Sequence, residues 1–236
     1  MPLHVHSTKQ GELEAGERLV ASLRVALEDL LGLYSTILSD KLRPRADFPF
    51  HNFFLIDGQK RYFTYNGVVD NKRVFLAHLN EQPNEHLYVK LSQRYSEDAH
   101  CATLKLGLAP KLYAVNEVYG WFLVVMEDVS KNYTPLSDLT RLSAIGHVCR
   151  ELAPGLGSLH EEGFVHGDVH DVNILVRRPD VDQSLRSVLL VDWDWAGKEG
   201  EAKYPHSMNP EVLRPSDAVV GGRITTKHDK EMAEHL

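Results

Sequence analysis

The chain has 236 residues, of which 43% are hydrophobic and 25% charged, and a net charge of −7. That is enough for one substantial domain or a small two-lobed one, and it excludes wholesale disorder. The acidic balance argues against non-specific binding to nucleic acid or to anionic membranes. Cys101 and Cys149 are too few for a disulfide framework and read as reduced thiols of an intracellular protein, cytoplasmic or nuclear. The thirteen histidines show no metal-finger spacing. Residues 1–11 lack the apolar core of a signal peptide, and no apolar run is long enough to span a bilayer.

After that polar tail, apolar residues recur at three-and-four spacing through Leu19, Leu23, Leu27, Leu30, Leu31, Tyr34 and Leu38. The pattern predicts a long amphipathic helix over residues 12–39, either a brace for the domain that follows or a partner-binding helix. Arg43-Pro44-Arg45 ends it and opens a linker through Pro49. Strands are expected over residues 62–65, 74–77 and 87–91, the first two joined by a polar turn over 66–71. Ser96 is placed to cap a helix that starts with Glu97 and Asp98. Residues 123–126 read as another strand. Residues 135–138 start a helical region, with apolar positions at Leu139, Leu142, Ile145, Val148 and Leu152. Pro154, Gly155 and Gly157 predict a kink or a short break in it.

The densest chemistry lies in His166-Gly167-Asp168-Val169-His170-Asp171-Val172-Asn173. A polar loop there feeds one short apolar strand. A second apolar strand, residues 188–191, ends in Asp192-Trp193-Asp194-Trp195. This layout brings Asp168, Asn173 and Asp192 to the mouth of one small sheet. Phosphoryl transfer needs a group that orients the attacking hydroxyl and oxygen ligands for magnesium on the phosphates, and these three residues fit. A competing reading is metal ligation by His166, Asp168 and His170, which share one face of an extended segment. It lacks a second histidine cluster and leaves Lys90, Asn173 and Asp192 unexplained.

His-x-Asp-x-x-x-x-Asn followed by an apolar strand and an aspartate resembles the catalytic loop and metal motif of protein-kinase-like phosphotransferases. The form His-Gly-Asp-x-His-x-x-Asn is similar to the aminoglycoside and choline kinase branch. Arg94-Tyr95, Ala99-His100 and residues 107–112 look like fungal kinase-like proteins. The resemblance implies an α+β, two-lobed fold: residues 1–45 a tail and extra helix, 46–126 a small antiparallel-sheet lobe, and 127–236 a shortened, mainly helical lobe.

It also implies roles. Asp168 would act as base, Asn173 and Asp192 as magnesium ligands with Asp194 as rival, and Lys90 would bind the α- and β-phosphates of ATP. Glu97, or Asp98, would pair with Lys90. Gly67 would be what remains of the phosphate-covering turn, and the backbones of Glu127 and Val129 would form the adenine-binding hinge. His166 would hold the loop, while His170 would contact the γ-phosphate or brace the loop. Gly167 stands where phosphorylation-regulated protein kinases keep an arginine. Asn209-Pro210-Glu211 looks like the end of an activation segment, and Asp229, in a helix capped by Thr225 or Thr226, like the aspartate that anchors the catalytic loop. The expected activity is ATP- and Mg2+-dependent transfer to a hydroxyl of a protein or small molecule. The alternative is a catalytically weak kinase-like scaffold.

Overall fold

The computed structural model describes residues 10–39, 49–69, 73–139, 142–182 and 184–236. The tail before Gln10, the Arg43-Pro44-Arg45 helix stop and the end of the expected 66–71 turn lie outside the described residues. Two compact units are present, Met1–Pro49 and Phe50–Leu236. In the first, α1 (Gln10–Ser39) is a 30-residue helix. Among its described side chains the large apolar ones stay exposed, from 47% at Leu30 to 72% at Leu19.

The second unit begins with six antiparallel strands: β1 (Phe53–Ile56), β2 (Gln59–Val69), β3 (Val74–Leu79), β4 (Gln82–Ser92), β5 (Leu112–Val118) and β6 (Trp121–Glu127). They lie in the order β1-β2-β3-β4-β6-β5. Two of them, β1 and β5, are additions to the strands expected from the sequence. Each belongs to a two-residue hairpin with both turn residues at positive φ, Asp57-Gly58 (50° and 76°) and Tyr119-Gly120 (52° and 77°). That conformation matches the twist of the flanking strands, and an Asp-Gly pair is a strong hairpin signal. Phe54, Phe63, Leu87, Val89, Leu123 and Val125 form the core of this sheet lobe.

Between β4 and β5 sits α2 (Glu97–Lys105), with the Ser96 side chain accepting from the Ala99 N–H as its N-cap. The helical lobe contains β7 (Tyr133–Pro135), α3 (Leu142–Glu161), β8 (Phe164–Val165), β9 (Ile174–Arg177), β10 (Val188–Leu190), β11 (Gly197–Lys198) and α4 (Thr226–Glu234). β10, β9 and β7 form one three-stranded sheet, and β11 pairs with β8. Of the kink or short break expected at Pro154, the break does not occur: α3 runs through it without interruption. Val148, Leu152, Leu156 and Leu159 are buried along one face of α3, and packing of that face outweighs local propensity. Gly155 serves contact rather than interruption: a Cβ there would lie 1.8 Å from Leu108 Cδ1.

The loop between β8 and β9 depends on Gly167, which has φ of +83°. A Cβ on it would sit 2.6 Å from Ile224 Cδ1. A side chain at this position would have to displace Ile224 as well as adopt a left-handed backbone. Left-handed backbone costs an L-residue about 1–2 kcal/mol, and overpacking adds about 1–3 kcal/mol. Gly167→Ala is therefore expected to destabilise the fold by about 2–5 kcal/mol, read as a lowered urea midpoint with unchanged slope.

Candidate active site

Asp229 holds the 166–173 loop in place. Its carboxylate is fully buried in the first turn of α4, where Thr225 caps the helix by accepting from the His228 N–H. It accepts from the backbone N–H of His166 and of Gly167, both at 2.7 Å, and from His160 Nε2 at 3.0 Å. His166 ties the same loop to the end of β10. Its Nε2–H donates to Val191 O at 3.1 Å, and its Nδ1 accepts from the Asp168 N–H at 3.3 Å. Those two bonds require the neutral imidazole, and burial lowers its pKa despite the carboxylates nearby. His166 is a scaffold residue. It points to Val191 while His170 turns to Asp168 and Asp171, so the His-x-Asp-x-His run does not converge as a metal site.

Asn173 sits at the entry to β9, and its amide nitrogen donates to Asp168 O at 2.9 Å and Asp168 Oδ2 at 3.1 Å. That fixes which end of the amide is oxygen, and leaves Oδ1 for a cation. His170 Nε2 lies 3.4 Å from Asp168 Oδ2. Burial pushes Asp168 up, but the hydrogen bond and charge of His170 and the bond from Arg214 outweigh it and hold the carboxyl below its usual range. Burial pulls His170 down, and its bonds to Asp168 and Asp171 more than restore it, so its pKa is raised.

Across the cleft, Lys90 on β4 reaches Asp192 Oδ1 at 2.7 Å. Asp194 Oδ1 lies 2.8 Å from the same ammonium, out of line for a hydrogen bond. Asp192 adopts φ of +74°, an uncommon conformation for a non-glycine residue. Burial raises the pKa of both aspartates. For Asp192 the Lys90 charge wins and the pKa falls, whereas the charge of Asp192 pushes Asp194 further up, to about 6. Asp192 is thus the firmer anion of the two, and Ser92 Oγ donates to Asp194 Oδ2 at 2.8 Å.

The expected Lys90–Glu97 pair is absent. Glu97 is exposed in the first turn of α2, as is Asp98, and both ion pairs of Lys90 go to Asp192 and Asp194. The first turn of a helix favours an acid without any partner, so the signal read from the sequence was a helix-start signal. What joins α2 to the Asp192 turn is aromatic. Trp193 is fully buried and stacks on His100 at 3.8 Å between ring centroids, 7° from parallel. His100 Nε2–H donates to Pro110 O at 2.8 Å, and Tyr95 O–H donates to Nδ1 at 2.6 Å, a neutral tautomer with both nitrogens satisfied.

A cleft of about 840 Å³ opens between the sheet and the helical lobe, lined by Lys90, Glu127, Val129, Asn173, Asp192 and Asp194 among others. Val129 O accepts from the Asn132 and Tyr133 N–H groups. Gly67 is not part of this lining. It stands at a β2 bulge with Leu76 in contact, and Val69, Arg73 and Val74 face the cleft instead. Asp168 and His170 also lie outside the lining. Arg214, which sequence reading passed over, reaches Asp168 Oδ1 at 2.8 Å. Nothing in its local sequence announces this, since the contact spans 46 residues.

The donor set suits magnesium and nucleotide phosphate. The Asn173 amide oxygen and an ionised Asp192 are hard oxygen ligands. Among the described residues no group of three or more His, Cys, Asp or Glu side chains converges as a metal cage, so a cation here would share its coordination with phosphate and water.

No family model matches the chain, and no curated protein matches it in sequence. Among solved structures it is similar to the Cydia pomonella granulovirus kinase PK-1, with a TM-score of 0.57 and 18% identity over 72% of this chain. The chain spans 65% of that viral kinase. The likeness shows a protein-kinase-like fold: an antiparallel-sheet lobe joined to a mainly helical one. No described helix is long and apolar enough to cross a membrane.

His100 generates a pH dependence of stability. Burial lowers its pKa from 6.5 to about 4, so the folded state resists a proton that the unfolded state accepts. The stability it contributes is complete above pH 6.5 and is lost as pH falls toward 4. The shift corresponds to about 3 kcal/mol. Urea melts at pH 8 and pH 4.5 should show His100→Gln losing less stability on acidification than the parent chain.

Proposed function

We propose that this chain is a phosphotransferase that moves the γ-phosphate of ATP to a hydroxyl of a protein, at serine or threonine, or of a small molecule. One observation carries the reading: Asp168 is hydrogen-bonded to Asn173, which lines the same cleft as the Lys90–Asp192 pair. In this reading the backbones of Glu127 and Val129 meet the adenine edge. Lys90 binds the α- and β-phosphate oxygens, exchanging its aspartate contacts for phosphate ones. Asn173 Oδ1 and Asp192 would hold Mg2+, which when bound would offset phosphate charge.

Asp168 supplies the base. Its carboxylate accepts the hydrogen bond of the acceptor hydroxyl and takes that proton as the new O–P bond forms and the bridging oxygen leaves with the diphosphate. His170 steadies Asp168 from its other oxygen. Excluding water from a site of this kind strengthens each charge interaction within it. We place the protein inside the cell, without nucleic-acid or membrane partners, on its acidic balance and its two free cysteines.

A kinase-shaped scaffold is the second reading. It draws support from Glu97, which is exposed, and from Lys90, whose charge is already met by two carboxylates.

Thermal melts with ATP and Mg2+ separate the two readings from a protein that binds no nucleotide. A magnesium-dependent rise in Tm is expected for the parent chain and for Asp168→Asn, and its loss for Asp192→Ala. No rise in any of the three would sink nucleotide binding. An acceptor screen with labelled ATP then tests catalysis, with Asp168→Asn expected to lower turnover by about 10²–10⁴-fold. Nucleotide binding with no labelled product on any acceptor would favour the scaffold.

A further inference from the structure

The chain between Ala202 and Ile224 forms a loop closed at its neck. Ile224 N–H donates to Ala202 O at 2.9 Å, Tyr204 N–H to Gly222 O at 3.0 Å, and Gly221 N–H to Tyr204 O at 3.0 Å. Val165, Ala202, Tyr204 and Ile224 seal that neck as a small apolar core. Asp217 adds an ion contact to His228, 3.4 Å away on α4. The body of the loop carries Arg214 back over the 166–173 segment.

Arg214 is built into the loop, with its side chain only 7% exposed. Nη1 donates to Asn209 O at 2.7 Å and more weakly to Val212 O at 3.4 Å. The guanidinium carbon stands 5.1 Å from the centre of the Trp195 ring, within cation–π range. Nη2 donates to Asp168 Oδ1 at 2.8 Å. Nε–H is buried with no partner among the described residues. The other oxygen of Asp168 meets Asn173 Nδ2 at 3.1 Å and His170 Nε2 at 3.4 Å. Two separate segments therefore grip the same carboxylate from opposite ends. A carboxylate oxygen has two acceptor directions, so Oδ1 can keep the arginine and still receive a hydroxyl.

We infer that Arg214 is a positioning residue for Asp168. The inference rests on the phosphotransferase reading above. By holding one lone pair of Oδ1, Arg214 fixes the carboxylate plane and leaves a single direction for the acceptor hydroxyl. A misaligned base costs turnover much more than it costs nucleotide binding, and small displacements at a reacting centre are worth up to about 10²-fold. Lysine can restore the charge but not the planar fork that spans Asp168 and the Asn209 carbonyl.

The test compares the parent chain with Arg214→Ala, Arg214→Lys and Arg214→Gln. ADP release from Mg·ATP is followed with water and with a serine peptide as acceptors, beside the Mg·ATP thermal shift. Arg214→Ala should keep the thermal shift and the KM for ATP while kcat falls by about 10–10²-fold. Arg214→Lys should recover part of the loss, and millimolar guanidinium should restore turnover to Arg214→Ala but not alter the parent. Arg214→Gln, whose amide can still bond the loop carbonyls, provides the same comparison if Arg214→Ala does not fold. Parent-level or higher kcat in both Ala and Gln variants would overturn the positioning role alone. A parent chain that releases no ADP with either acceptor, although it binds Mg·ATP, would overturn the phosphotransferase reading and this inference with it.

Discussion

One buried carboxylate organises the candidate site. Asp229 has no solvent to interact with and takes two adjacent backbone N–H groups, those of His166 and Gly167, together with a histidine ring. A buried anion is stable only when its lone pairs are filled, and buried amides need acceptors just as strongly. The loop and the start of α4 therefore satisfy each other. Gly167 makes this possible, because a positive φ at that residue lets consecutive amides point the same way. Asp168 and Asn173 inherit their positions from this anchor.

The opposite wall of the cleft is tied by charge. Lys90 sits on a strand whose neighbours are β3 and β6, and its ammonium links the sheet to the Asp192 turn of the helical lobe. Because that ammonium goes to Asp192 and Asp194, α2 has no ionic hold on the site. The Trp193–His100 stack and the Ser96 N–H bond to Trp193 O make the connection instead. A neutral, stacked histidine transmits position through packing, and packed contacts are insensitive to salt in a way that exposed ion pairs are not.

Several features were legible in the residues alone. The placing of Asp168, Asn173 and Asp192 at the ends of two short strands, the central strands, the Ser96 cap and the Thr225 cap depend on spacing or on chemistry within a few residues, and the structure carries each of them. Asp57-Gly58 was equally legible as a hairpin turn, and with it the extra strand β1. The Pro154 break failed because the sequence reports local propensity, while the buried face of α3 answers to its neighbours. Glu97 failed for a related reason: an acid at a helix start looks the same whether or not a lysine lies above it.

The sequence by itself determined the residue types available: two aspartates, a carboxamide and a lysine in an order that suits phosphoryl transfer. Only the tertiary structure decided how they pair. Lys90 meets Asp192 across 102 residues, Arg214 meets Asp168 across 46, and Asp229 meets Gly167 across 62. Contacts of that separation are chosen by which surfaces pack together and by which buried charges can be satisfied there, and no local pattern records either.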